Sequence, residues 1–472
     1  MSASAPAADS AATRQAGAPA SAADGGYAEA VEALAERGRF GIRLGLGRTQ
    51  ALLRALGDPQ RGLRGALVAG TNGKGSVLAL AGSVLRAAGY RIGETPKPHL
   101  VSYRERIQVD GVPIAPAAFV RLVDEVLPLA DRVARRLGPP TEFELLTAIM
   151  FRHFAEVGID VALVEVGLGG RLDATHAWDG GVAAVTNIGL DHTDRLGSTV
   201  EAIAREKAAI IMRGDLAVTG TTEPALTVIR RRARRVKAPL VVVAPAPLVR
   251  LDRDGIVVRL GGLGGLGETR VGLRGRHQAA NVAVADALLD ALETAGIASA
   301  SPDARRRGYA DARWPGRLEL LGPDAATAGR EVLLDGAHNA DGAAALASAL
   351  ADLRPHLAPG PLTLLVAAMR DKDVPGIVRA LASSPALAGA TVIATSLDLP
   401  RAMPAPDLAA AWRAATGLGT VEVVPDPDAA LARALASSQG PIVVAGSLYL
   451  VGFVRAQLVD DPLVDDARAS RP

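Results

Sequence analysis

The chain has 472 residues, too many for one ordinary domain and enough for two or three. It carries 52 basic and 50 acidic residues, a formal charge of +2, and only 3% aromatics; no basic run is interleaved with aromatics, which disfavours nucleic acid as a partner. Cysteine is absent, so disulfides, thiolate metal sites and cysteine nucleophiles are excluded, and no apolar run reaches the ~20 residues that cross a bilayer.

Residues 1–26 are rich in Ala, Ser and Gly and lack the basic start and apolar core of a secretory signal. They read as a disordered tail. The first apolar run, 66–69, ends in GTNGKGS, and a helical pattern follows over 76–88. Glycines let backbone N–H groups turn onto phosphate oxygens at a helix N-terminus. Lys74 can reach β- and γ-phosphates, and the Ser76 hydroxyl can face Mg²⁺. The spelling departs from G-x-x-x-x-G-K-[ST], because Gly75 stands between Lys74 and Ser76. No N-K-x-D follows, which disfavours a guanine-nucleotide switch.

A helix is predicted over 142–157 and a strand over 161–166. Glu165 sits at the end of that strand, where α/β sheets present groups to a ligand crevice. A carboxylate there needs a partner or a metal. The next strand, 182–188, leads into LDHTDRLG with Asp191 and His192. A helix over 199–212 carries Lys207 among apolar residues. Such a lysine either snorkels to solvent or, if buried, is neutralised, paired or modified. Strands follow at 216–219 and 240–243, separated by the arginine-rich stretch 230–237, which reads as a solvated helix face. Residues 248–273 read as Gly-rich hairpins, and 278–295 as a helix that begins at HQAAN.

Small polar residues at 296–304 suit a linker, and a second α/β pattern starts beyond it. Its strands are predicted at 332–334, 362–367, 391–395, 420–424 and 442–445. Arg317 could neutralise phosphate charge from this side, and LLDGAHNADG places Asp335 and His338 between a strand and a helix capped by Asn339. Alternation of this kind implies parallel sheets with crossover helices. One compositional feature stands out. Only Lys74, Lys97, Lys207, Lys237 and Lys372 are lysines in a chain otherwise reliant on arginine. The survivors are candidates for places where a compact or modifiable amine is required.

GTNGKGS, PHLVSYRERI, EVGLGGRLDAT, LDHTDRLG, HQAAN, WPGRLE, LDGAHN, MRDKD and GSLYLVG, in this order, resemble folylpolyglutamate synthase/dihydrofolate synthase, a branch of the Mur ligase superfamily. The resemblance runs over about residues 40–453. It implies an α/β fold with a P-loop-containing N-terminal ATPase domain of Mur ligase type, residues 27–297, and a C-terminal Rossmann-like α/β domain, 298–472. The implied activity is an ATP-dependent amide ligase. A carboxylate is phosphorylated, the amine of L-glutamate attacks the acyl phosphate, and phosphate leaves. The acceptor is dihydropteroate or the γ-carboxylate of a folate.

The resemblance assigns roles residue by residue. Thr71, Asn72, Gly73, Lys74, Gly75 and Ser76 would bind ATP, with Asn281, Arg317 and Asp335. Glu165, His192, Ser76 and an N6-carbamylated Lys207 would hold Mg²⁺. Lys74, Lys207 and His338 are the implied catalytic residues, and His338 would lie near the γ-phosphate. The pteroate would lie against Ile42, Arg43, Leu44, Thr141, Glu142, Phe143, Glu144, Leu172, Asp173 and Ala174. Lys97 replaces the family serine that contacts the first Mg²⁺, His176 a frequent asparagine, and Ala209 a glycine. The rival readings are a cell-wall Mur ligase, disfavoured because only 69 residues precede Gly70, and an ATP-binding protein without turnover. The expected setting is a cytoplasmic monomer with small-molecule substrates and no nucleic acid or membrane partner.

Overall fold

A computed structural model describes residues 22–38, 43–261, 265–415, 419–461 and 463–464. Residues 1–21 of the expected tail and Ile42 lie outside them. The helix Ala22–Gly38 begins within the stretch read as tail.

Eight strands form the first sheet: β1 (Gly65–Ala69), β2 (Ile92–Thr95), β3 (Gln108–Val109), β4 (Val112–Pro113), β5 (Val161–Glu165), β6 (Gly181–Val185), β7 (Leu216–Thr219) and β8 (Leu240–Val242). Their order is β4-β3-β2-β5-β1-β6-β7-β8. From β2 to β8 the neighbours run parallel, and β3 and β4 add an antiparallel edge. The central strands β1 and β5 are buried throughout, as expected of apolar runs covered on both faces. Helices Lys74–Ala87, Gln278–Thr294 and Pro302–Asp311 cover one face. Glu142–Val157, Pro116–Leu137 and the N-terminal helices cover the other. Register then positions the site. Val68 pairs with Glu165 on one side and Ala184 on the other, so the loops leaving β1, β5 and β6 emerge side by side.

The Gly-rich stretch forms an antiparallel sheet of β9 (Leu248–Asp252), β10 (Gly255–Leu260) and β11 (Gly267–Val271), as the hairpin reading expected. The second domain holds β12 (Glu319–Leu321), β13 (Val332–Leu334), β14 (Thr363–Val366), β15 (Thr391–Ala394), β16 (Val421–Val423) and β17 (Ile442–Ala445). The order is β12-β13-β17-β14-β15-β16, parallel except for β12.

The linker falls elsewhere than residues 296–304. Ser301 caps the helix Pro302–Asp311 by accepting the Ala304 N–H at 3.2 Å. That helix packs on Lys74–Ala87, and its Tyr309 lies in the first domain's core. The Arg305 guanidinium donates to Asp286 at 2.9 Å and pairs with Asp290 at 2.7 Å, both on Gln278–Thr294. The first domain therefore extends past 297, to about Ala312, the last residue of its core.

Candidate active site

The loop after β1 is stitched to the loop after β6. Thr186 Oγ1 donates to Asn72 O at 2.6 Å, and Asn187 accepts the Thr71 and Asn72 N–H groups at 3.0 and 2.8 Å. Thr71 Oγ1 exchanges two hydrogen bonds with the Gly189 backbone. Gly73 has φ +83, and a Cβ there would strike the Asn281 carboxamide. As the N-cap of Lys74–Ala87 it offers no side chain, so the first N–H groups of that helix are left for another acceptor. A glycine cradle at an uncapped helix N-terminus fits phosphate.

Three lysines converge on this loop. Lys74 Nζ curls back to donate to Gly70 O at 3.1 Å and Thr71 O at 3.2 Å, and lies 3.7 Å from Glu165 Oε1. Lys207 does not snorkel. It is 7% exposed, and its Nζ donates to the same Gly70 carbonyl at 2.8 Å. Burial, reinforced by Lys74, pushes Lys207 down to about 7. Its neutral amine, the form that adds CO₂, is therefore accessible near neutral pH. Lys97 donates its N–H to Glu165 Oε2 at 3.1 Å and its ammonium to the Glu165 carbonyl at 2.5 Å. Burial raises the Glu165 carboxyl; Lys74 and Lys97 oppose it.

Asp191 and His192 follow β6. Asp191 accepts from Lys372 Nζ at 3.0 Å and Asn339 Nδ2 at 3.2 Å, both from the second domain. Burial alone would raise Asp191, but His192, Lys372 and Asn339 hold it at about 2. His192 has φ +51 and a half-exposed ring 3.9 Å from Asp191. Burial lowers its pKa, favouring the neutral ring that can coordinate a metal. Among the described residues no group of three or more His, Asp and Glu forms a ready metal cage. One carboxylate, one imidazole and a hydroxyl beside a phosphate cradle fit Mg²⁺, which binds through few protein groups together with phosphates. Glu165, His192 and Ser76 would hold it.

From the second domain, Asp335 leaves β13 and accepts the Leu318 and Ala337 N–H groups at 3.0 and 2.9 Å. Arg317 stands near Asp335, Glu165 and His338, and its guanidinium is bonded only weakly, to Gly316 O at 3.5 Å. His338 Nδ1 lies 2.8 Å from Gly336 O, and burial pushes the ring down to about 4, so it is neutral. Asn281 is steadied by Gln278 at 2.8 Å, and Gln278 reaches toward Ser76 at 3.5 Å.

On the acceptor side, several expected contacts are engaged in holding the frame. Thr141 and Glu144 form a capping box, and Arg48 pairs with Glu144 at 2.9 Å. Asp173 accepts from Leu168 N, Thr175 N and Thr175 Oγ1. Gly45 N donates to Leu172 O at 3.3 Å, which brings the chain that carries Arg43 and Leu44 up to Leu172. Phe143, Lys97 and Arg106 line a narrow cleft here, and Glu142 lies against Tyr103.

The structure thus brings Lys74, Glu165 and Lys207 together, with Gly73, Gly75, Ser76 and Asn281 around them. It leaves His338 and Asp335 on the facing domain. Trp314, against Gly75, and the Asp191–Lys372–Asn339 bridge were not expected. For Lys372, the scarcity of lysine was the available signal.

Two α/β domains facing each other across a glycine phosphate loop define an ATP-using ligase of the Mur type. Residues 120–289 match the Mur ligase middle domain, and 316–448 the Mur ligase, glutamate ligase domain. The Bacillus subtilis dihydrofolate synthase/folylpolyglutamate synthase is 36% identical over 392 residues, 80% of this chain and 86% of that one. A structure of Mycobacterium tuberculosis folylpolyglutamate synthase with ADP and AMPPCP superposes with TM-score 0.82 at 34% identity, covering 93% of this chain and 100% of that one. The bifunctional Yersinia pestis enzyme with AMPPNP and Mn ion gives 0.75 at 30% identity, covering 91% and 97%. The chain belongs to the folylpolyglutamate synthase/dihydrofolate synthase family.

Proposed function

We propose that the protein joins L-glutamate to dihydropteroate and to the γ-carboxylate of folates, using ATP and a divalent metal. The observation that carries this reading is the Lys74–Glu165–Lys207 cluster around Gly70, set in a chain of this family. The loop N–H groups and Lys74 hold the β- and γ-phosphates, and Asn281, Asp335 and Arg317 complete the nucleotide site. Phosphoryl transfer to a carboxylate is mostly positioning and charge neutralisation, which Lys74 and Arg317 supply. Mg²⁺ adds Lewis-acid neutralisation of the phosphates. A carbamate on Lys207 would turn a cation that repels Lys74 into an anion that pairs with it. His338, neutral, would donate or accept one hydrogen bond near the γ-phosphate. Phe143, Leu44 and Leu172 give the pteroate an apolar bed.

The family relatives favour folate over cell-wall substrates. We also propose a cytoplasmic enzyme that acts as a monomer. The test is ADP release with ATP, Mg²⁺ and L-glutamate, comparing dihydropteroate with tetrahydrofolate. Product with both is expected. Product with folate alone removes the synthase half, and ligation of a UDP-muramyl substrate overturns the reading. Nucleotide binding without ADP release would instead favour a protein that has lost turnover.

A further inference from the structure

Glu165 has one cation beside its carboxylate and another on its main-chain carbonyl. Lys74 lies 3.7 Å from Oε1, on the side of the phosphate loop. Lys97 has its main-chain N–H on Oε2 and its ammonium on the Glu165 carbonyl. That ammonium also lies 4.7 Å from the centre of the Phe143 ring. The carbonyl and the aromatic face hold the ammonium in place, against a burial that lowers its pKa to about 8. Glu165 is itself 3% exposed, which leaves little water to screen the two charges from each other. Lys74 is explained by phosphate. Nothing in the proposed phosphate chemistry uses Lys97.

We propose that Lys97 is a positioning residue whose resident charge opposes a divalent ion at Glu165, so that the metal enters with the nucleotide and not before it. Without nucleotide, an ion approaching Glu165 meets the ammonium groups of Lys74 and Lys97, with Lys207 behind them, against the carboxylates of Glu165 and Asp173. The phosphates bring the negative charge that reverses this balance. Lys97 acts through Glu165 and touches no reacting atom. The inference rests on Glu165 being a metal ligand.

Manganese titration of the full chain, read by electron paramagnetic resonance of free Mn²⁺ with and without AMPPCP, tests this without turnover. The unmodified protein should bind Mn²⁺ at least about tenfold more tightly with AMPPCP than without it. Lys97→Met, which keeps the stem and removes the charge, should tighten nucleotide-free binding about tenfold. Lys97→Arg should stay within about threefold of the parent, because the charge remains. Glu165→Gln should lose the site in either background. Equal affinities for the parent and Lys97→Met overturn the proposal while leaving Glu165 in place. Retained binding in Glu165→Gln overturns the metal assignment itself. If Lys97→Met does not fold, Lys97→Gln, equally uncharged, takes its place, and a nucleotide-free affinity equal to the parent's refutes the idea.

Discussion

Lys74 and Lys207 share one carbonyl, yet the site asks opposite things of them. Lys74 must stay cationic. Lys74→Ala should cost about 2.7–4 kcal/mol of transition-state stabilisation, a fall of about 10²–10³ in kcat, the scale of one preorganised contact to developing charge. Initial rates of ADP release check it, and activity near the parent's would remove Lys74 from phosphate handling. Lys207, by contrast, is proposed to act as an anion. Its amine is buried, 2.8 Å from Gly70 O, and lowered to about 7. Lys207→Arg keeps a positive charge but cannot carry a carbamate, because a guanidinium stays protonated. The Arg variant should therefore be as inactive as Lys207→Ala. A merely structural lysine would tolerate the exchange, so a fully active Arg variant defeats the carbamate.

Between elements, the clearest electrostatic tension lies away from the site, where the chain enters β7. Asp215 is 2% exposed; it accepts the Met212 N–H at 2.7 Å and faces Asp179, just before β6. Burial, with Asp179 adding, pushes its carboxyl up to about 7. The folded pKa thus exceeds the unfolded value of ~3.9. Between those values the native state keeps a proton that the unfolded chain has released, so stability falls as pH rises and the loss is complete above about 7. Asp215→Asn keeps an oxygen for Met212 and offers N–H donors to Asp179. It should raise stability at pH 8 by about 1–3 kcal/mol, given ~1.4 kcal/mol per pKa unit, with a smaller gain at pH 5. Urea unfolding at both values measures this; an equal effect at both would refute a raised Asp215 carboxyl. This pair could not be read from the sequence, because Asp179 and Asp215 meet only through sheet order. The phosphate loop, Glu165 and Lys207 were legible because each sits at a strand end or in an apolar helix where its residue type is anomalous. The strands β2 and β12 were not. Each is short, β2 carries Gly93 and a Glu94 whose burial is compensated by Arg86, and β12 is a half-buried edge. Residues 296–304 looked like linker by composition, although Ser301 and Pro302 also spell a helix start. Its packing on Lys74–Ala87 and the bonds of Arg305 and Tyr309 to Asp286 join that helix to the first domain, and none of these contacts shows in composition.

Across the whole molecule, the two domains meet through apolar contacts of Leu100 and Leu251 and through a set of polar bridges. Asn339 Nδ2 reaches Asn72 Oδ1 at 3.3 Å and Asp191 at 3.2 Å, while Lys372 Nζ reaches Asp191 at 3.0 Å. Farther out, Arg276 pairs with Asp352 and Arg253 with Glu331. These pairs are not equivalent. Arg276 is 59% exposed, so its pair belongs to the class worth about 0–1 kcal/mol. Lys372 and Asp191 are 16% and 14% exposed, and removing one partner leaves a charge short of compensation, which is far more damaging. The bridge also touches the phosphate loop through Asn72, so closure and nucleotide binding are linked through the same residues. Lys372→Met should therefore loosen the pairing of the domains. Small-angle scattering of the nucleotide-free protein should show a larger radius of gyration. Hydrogen exchange should rise in the first turn of Ala340–Leu353, where Asn339 is the cap. KM for ATP should rise more than kcat falls, because the damage is to assembly of the site. Arg276→Ala serves as the comparison and should change none of these measurably. If Lys372→Met matches the parent in scattering and exchange while Arg276→Ala does not, the latch lies at the outer pair and the Asp191 bridge is only a local contact.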